Sequence, residues 1–66
     1  MTKFYEIFKS LCCAKNTTPT AVLKQLKIST SKGTSWKNGS DPSIKYLIQI
    51  SEFFNVSVDY LLGREN

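Results

Sequence analysis

The stretch from Thr18 to Gly39, TPTAVLKQLKISTSKGTSWKNG, contains two short helical patterns separated by a tight turn. Thr18 and Pro19 are typical of a helix start, because threonine accepts from free N–H groups and proline suits the first helical position. The apolar side of this first helix is formed by Val22, Leu23 and Leu26. Spacings of three and four residues are those of a helix with one buried side.

The turn between the two helices is predicted at Lys27. A left-handed residue normally occupies such a position, and glycine adopts that conformation most easily. A lysine there costs about 1 kcal/mol relative to glycine. Ile28 is expected to be the apolar residue that plugs the turn, and Ser29 or Thr30 is expected to cap the next helix.

The second helix of this stretch is predicted to end near Lys37 or Asn38, with Gly39 as its left-handed terminator. Gly33 in its interior costs roughly 1 kcal/mol against alanine. Trp36 is its only large apolar side chain. We interpret Trp36 as a half-buried anchor to the body rather than as a platform for base stacking.

The same helix carries small polar side chains and one lysine on its outward face: Thr30, Ser31, Lys32, Thr34, Ser35 and Asn38. Side chains of these types read base edges in the major groove of DNA, and we expect base readout from this set. Phosphate contacts are expected from a second set: Thr18, Thr20, Lys37, Gly39 and Lys45. The alternative is a solvated helix face with no partner.

The distribution of charge agrees with a polyanionic partner. The 66 residues carry a net charge of +4. Seven lysines lie between Lys9 and Lys45 against one acid, Asp41, whereas the acids outnumber the bases after Lys45. A basic pole of this kind is typical of nucleic-acid binding, although charge alone is equally compatible with a solvated surface.

The flanking segments also have helical periodicity. The helix at the start of the chain is predicted over about Thr2–Lys15, capped by Thr2 and ended by Asn16. Its apolar stripe comprises Phe4, Ile7, Phe8 and Leu11. The two helices of the stretch from Thr18 to Gly39 are then the second and third of the chain.

A fourth helix is predicted from Asp41-Pro42-Ser43 through Phe54. Its apolar face comprises Ile44, Leu47, Ile48, Ile50, Ser51 and Phe54. A short fifth helix is capped by Ser57, buries Leu61 and Leu62, and ends at Gly63. The prediction is one all-α domain over residues 1–66, with five helices and no period-two strand pattern.

Several classes of function are disfavoured by composition. The chain has no histidine, and its two cysteines, Cys12 and Cys13, are adjacent, so we expect neither a disulfide framework nor a zinc site. No run approaches the roughly 18 apolar residues of a membrane span. We find no constellation of catalytic residues and expect no cofactor and no enzymatic activity. Reduced thiols are typical of a cytosolic protein.

In this order and spacing, the sequence resembles the Cro/repressor-type helix-turn-helix family of phage and bacterial regulators. The resemblance rests on the helix pair about residues 18–39, on WKNGSDPS at residues 36–43, and on NVSVDYLLG at residues 55–63. It also includes the pattern Leu47, Ile50-Ser51 and Phe54 in the fourth helix. The resemblance implies a compact five-helix, lambda-repressor-like fold that binds operator DNA in the cytoplasm of a bacterial host.

Four positions depart from the family pattern. The family usually has alanine at Leu23, glycine at Lys27 and a branched apolar residue at Gly33. In the family, the positions of Leu23 and Gly33 face each other, so we hypothesise that Leu23 fills the hole left by Gly33. Cys12 stands where relatives often carry an arginine that helps hold phosphate.

One such domain makes too few contacts with DNA for tight operator binding. We therefore expect a homodimer on two DNA half-sites about one helical turn apart. Tyr60, Phe53 and the apolar residues near the C-terminus are candidates for its interface. The chain is compatible with a complete Cro-like protein or with the DNA-binding piece of a longer repressor. The main alternative function is a protein-interaction module, such as the partner of an antitoxin or anti-repressor, on the same scaffold.

Overall fold

A computed structural model describes residues 3–64, and this part of the chain forms α-helices and no strand. The helices are α1 (Phe4–Ala14), α2 (Pro19–Gln25), α3 (Thr30–Lys37), α4 (Ile44–Phe54) and α5 (Val58–Leu61). The all-helical class predicted from the sequence is confirmed. The predicted Thr2 cap lies outside the described residues. None of the described helices is long and apolar enough to cross a membrane.

The core forms where aromatic side chains of α1, α3 and α4 meet. Phe4 and Phe8 of α1 are fully buried, and their rings lie 5.4 and 6.2 Å from the Trp36 ring between centroids. Phe54 of α4 makes an edge contact with Phe8 at 6.2 Å. Trp36 is only 5% exposed, so the prediction that it is half-buried was wrong. Since both α1 rings converge on it, the indole is enclosed on the side that faces the body.

Each of the five described helices is followed within two residues by a residue in the left-handed conformation. Asn16, Lys27, Gly39, Asn55 and Gly63 all have positive φ. At Gly39, for example, the glycine N–H donates to the Trp36 carbonyl at 3.1 Å and the next N–H, of Ser40, donates to Ser35 at 3.0 Å. This pair of bonds is the Schellman motif, which satisfies the last carbonyls of a helix.

Two of the predicted N-terminal caps are confirmed. The Thr18 hydroxyl accepts from the Ala21 N–H at 3.2 Å, and the Ser57 hydroxyl accepts from the Tyr60 N–H at 3.0 Å. Ser29 occupies the cap position of α3, but its side chain accepts no helix amide. Its hydroxyl instead bonds with that of Ser31 at 2.8 Å.

Lys27 has φ 62°, which confirms the strained lysine predicted at the α2–α3 turn. We expect Lys27→Gly to raise the free energy of unfolding by about 1 kcal/mol, because the residue no longer forces a Cβ into the left-handed region. Lys24→Gly, in the last turn of α2, is the matched control and should lower the free energy of unfolding by up to about 1 kcal/mol, because glycine is a poor helix former. Urea unfolding followed by circular dichroism measures both. A stability loss at Lys27→Gly would contradict the assignment of strain.

The apolar face predicted for α4 was wrong at two positions. Ile44 is 67% exposed and Ile48 is 45% exposed. The buried stripe is narrower and consists of Leu47, Ile50, Ser51 and Phe54. Ile44 is the first residue of the helix and extends past the body, while Ile48 lies about 100° around the helix from Leu47. Tyr60 on α5 is the other large exposed apolar side chain among the described residues, at 42%.

Candidate nucleic-acid interface

The orientation of α3 is set by its close packing against α2. Gly33 is buried, and a Cβ added to it would lie 2.8 Å from Cδ1 of Leu23, closer than two such carbons approach. Leu23 itself is 1% exposed. The hypothesis that Leu23 occupies the space left by Gly33 is therefore confirmed by the geometry. Gly33 and Trp36, three residues apart, together define the inward side of α3.

The opposite side of α3 is polar and free of the body. Ser31, Ser35 and Asn38 follow a spacing of four and then three residues, so they share one side of the helix, and all three are exposed. Their side chains are short, so only a partner that approaches α3 closely along its length could contact all of them.

A second exposed row lies on the flank of α3 that faces α2. Thr30, Thr34 and Lys37 follow the same four-then-three spacing. They border a cleft of about 180 Å³, whose other walls include Thr20 of α2 and Tyr5 of α1. The sequence assigned Thr30 and Thr34 to base readout and Lys37 to phosphate, and the structure brings the three together on one edge of the exposed surface.

Lys32 lies on the other flank of α3, toward α4. Its Nζ is 5.8 Å from the centroid of the Tyr46 ring, and the Nζ of Lys45 is also 5.8 Å from that centroid. The Tyr46 ring in turn contacts Trp36, with 5.9 Å between centroids. Two ammonium groups thus share one aromatic ring, and cation–π attraction holds each near it. Tyr46 is not among the site residues predicted from the sequence, because nothing in the neighbouring residues indicates that α4 presents this ring to α3.

The residues expected to contact phosphate are exposed, but they are not equivalent. The hydroxyl oxygen of Thr18 already accepts the Ala21 N–H, which leaves its O–H proton as a donor. Thr20 and Lys45 are exposed at the starts of α2 and α4. The Gly39 N–H donates to the Trp36 carbonyl, so it is not free to donate to the phosphate expected at this position.

The positive charge of this surface is not neutralised within the described chain. No ion pair joins a lysine of residues 3–64 to a carboxylate in that range. The lysines around α3 therefore retain their full attraction for an external anion, which salt in the medium screens over about 8–10 Å.

The cysteines differ from each other. Cys12 is completely buried in the core next to α1's aromatic stripe, and burial raises the pKa of its thiol from 9.0 to about 11. Desolvation disfavours the thiolate, so Cys12 is a poor nucleophile at neutral pH. Cys13 is exposed. Over residues 3–64 no group of three or more histidine, cysteine or acidic side chains is arranged to hold a metal ion.

Comparison of the chain with protein-family profiles, curated proteins and solved structures gave no match. The function of the chain is therefore inferred from the residues and geometry of this surface.

Proposed function

We propose that this chain is a sequence-specific DNA-binding regulator of the Cro/repressor helix-turn-helix type, with α3 as its recognition helix. The observation that carries the proposal is the exposed row of Ser31, Ser35 and Asn38. Unpaired lysines stand on both flanks of that row, Lys37 on one and Lys32 on the other. A polar helix face between cationic edges suits the major groove of DNA, where the hydrogen-bonding base edges lie between two phosphate backbones.

In the proposed complex, α3 lies in the major groove and the central row reads the bases. Asn38 is suited to adenine or a phosphate, and serine hydroxyls donate to or accept from several bases. Phosphate contacts from Thr18, Thr20 and Lys45 set the register of the domain on the duplex, since backbone contacts position a protein without carrying sequence information. The buried Trp36 fixes α3 to the body, so the readout row is presented rigidly.

The protein is proposed to act as a homodimer. Ile48 of α4 and Tyr60 of α5, which are 45% and 42% exposed, give these two helices exposed apolar surface. Phe53, the other candidate from the sequence, is partly buried and makes an edge contact with Phe54, 5.0 Å between centroids. Ile48 and Tyr60 are therefore the better anchors for a second copy, because interfaces centre on exposed apolar side chains.

The decisive experiment is selection of bound fragments from a random duplex pool at two salt concentrations. The proposal expects an enriched sequence with two-fold symmetry and half-sites about one helical turn apart. If each protomer neutralises about four phosphates, the slope of log K against log salt is near −3.6, roughly doubled for a dimer. No enrichment, together with a protein partner that co-purifies, would favour the alternative of a protein-interaction module.

Ser35→Ala is expected to change which base is preferred at one position of the selected site, because the hydroxyl stands in the centre of the readout row. A lost hydrogen bond of about 1 kcal/mol corresponds to roughly fivefold at that position. Binding of each single-base variant of the site, measured by fluorescence anisotropy, checks this. The matched control is Ser10→Ala, an exposed serine on α1, which should leave the base preference unchanged. An equal loss at Ser35→Ala on selected and random duplexes would remove Ser35 from readout.

A further inference from the structure

The cleft between α1, α2 and α3 is lined largely by hydrogen-bond donors. Its volume is about 180 Å³. Hydroxyl groups come from Tyr5, Thr20, Thr30 and Thr34, and an ammonium group comes from Lys37. No carboxylate is among the lining residues. Such a lining suits a compact group that carries negative charge on several oxygens.

Within the part of the chain that the structure describes, four of these donor side chains have no acceptor. Among residues 3–64 no hydrogen bond or ion pair engages the side chains of Tyr5, Thr20, Thr34 or Lys37. The shape of the cleft follows from the close approach of α2 and α3, since Leu23 and Gly33 both contribute to its lining. With Leu23 held against a glycine, the two helices lie close enough for Thr20 and Thr34 to border one space.

We propose that this cleft holds one backbone phosphate of the bound duplex, with Lys37 supplying the charge and Thr20 and Thr34 supplying hydroxyl donors. The inference rests on the proposed function and refines it. Thr34, which the sequence assigned to base readout, becomes a phosphate ligand. The occupant is a phosphodiester of DNA rather than a free anion, because the cleft opens beside the readout row and its donors lie on the same exposed surface as Ser35 and Asn38.

The first test replaces single phosphates of the selected duplex by neutral methylphosphonate. At the phosphate that occupies the cleft, replacement by methylphosphonate should weaken binding to the parent protein. This loss of affinity should disappear in Lys37→Gln and become smaller in Thr34→Val. Thr34→Val should also weaken selected and random duplexes by the same factor, about three- to tenfold for one hydrogen bond. Lys37→Gln should flatten the salt slope by about one unit. Lys45→Gln is the matched control, because it should leave the penalty at that position intact.

A second measurement separates this inference from the function on which it rests. Inorganic phosphate is titrated at constant ionic strength while the amide signals of Thr20, Gly33 and Thr34 are followed by NMR. The proposal is supported by shifts at these amides together with a methylphosphonate penalty that disappears in Lys37→Gln. Selective duplex binding in which that penalty is the same in Lys37→Gln as in the parent protein would overturn the cleft assignment and leave the proposed function standing. A changed base preference in Thr34→Val would do the same. Phosphate-induced shifts without duplex binding would overturn both the DNA occupant and the proposed function.

Discussion

Leu23→Ala is expected to lower the free energy of unfolding by about 2–5 kcal/mol, because it opens a cavity at a site that is fully enclosed. Leu23 is 1% exposed, and its Cδ1 occupies the space where a Cβ of residue 33 would otherwise lie. The neighbour across the helix pair is glycine, which has no side chain to move into the void. A domain of this size rarely has more than about 3–5 kcal/mol to lose, so the variant should be largely unfolded near 37 °C.

The same geometry predicts a rescue. Gly33→Val alone should destabilise the protein, because its Cβ would stand 2.8 Å from Leu23 Cδ1. In the Leu23→Ala background that clash is gone, and valine fills part of the cavity. A double-mutant cycle should therefore give a coupling of about 1–3 kcal/mol in favour of the pair. The Lys27→Gly background should add about 1 kcal/mol, which extends the range over which chemical unfolding can measure the weaker members of the cycle.

Leu47→Ala provides the control for this cycle. Leu47 is 4% exposed and belongs to the core, but it lies on α4, which does not form the Leu23–Gly33 contact. Its effect should add to that of Gly33→Val within about 0.5 kcal/mol. If the effects of Leu23→Ala and Gly33→Val on the free energy of unfolding were also additive, the contact between Leu23 and Gly33 would not be what holds α2 and α3 together.

The features that could be predicted from the sequence are those decided within a few residues. The Thr18 cap, the left-handed Asn16 and Lys27, and the Gly39 terminator all depend on hydrogen bonds between positions at most five apart. Residue type and order indicate such bonds directly, because the partners are fixed by helix geometry. The complementary change at Leu23 and Gly33 was also predictable, but only through the resemblance to a family in which those positions face each other.

The features that sequence analysis missed depend on how the helices pack. Ile44 and Ile48 fit the apolar periodicity of α4, yet none of the described helices covers them, so they are exposed. Lys32 is drawn toward α4 by the Tyr46 ring, which lies fourteen positions away in the chain. The cleft beside Thr34 exists because three helices meet there. Periodicity describes one helix at a time and does not report which neighbour lies beside it.

Trp36→Ala is expected to destabilise the protein by about 3–5 kcal/mol, and to weaken DNA binding beyond the loss of folded protein. The indole contacts Phe4 at 5.4 Å, Phe8 at 6.2 Å and Tyr46 at 5.9 Å between ring centroids. It is the only large apolar side chain on α3, so no other apolar side chain of this helix can replace its packing against α1 and α4. Trp36→Phe keeps an aromatic ring in the core and should cost less. Ile44→Ala, at a side chain 67% exposed, is the control and should change stability by less than about 0.5 kcal/mol.

Trp36 is the only tryptophan of the chain, so its fluorescence separates anchoring from base stacking. An indole that is 5% exposed should emit at short wavelength in the native protein and shift to longer wavelength in urea. If the proposed complex forms, addition of the selected duplex should leave the emission nearly unchanged, because the ring packs against Phe4 and Phe8 in the core. Strong quenching by DNA, with stability retained in Trp36→Ala, would mean that the indole leaves the core to stack on a base. In that case the rigid presentation of Ser31, Ser35 and Asn38 would need another cause.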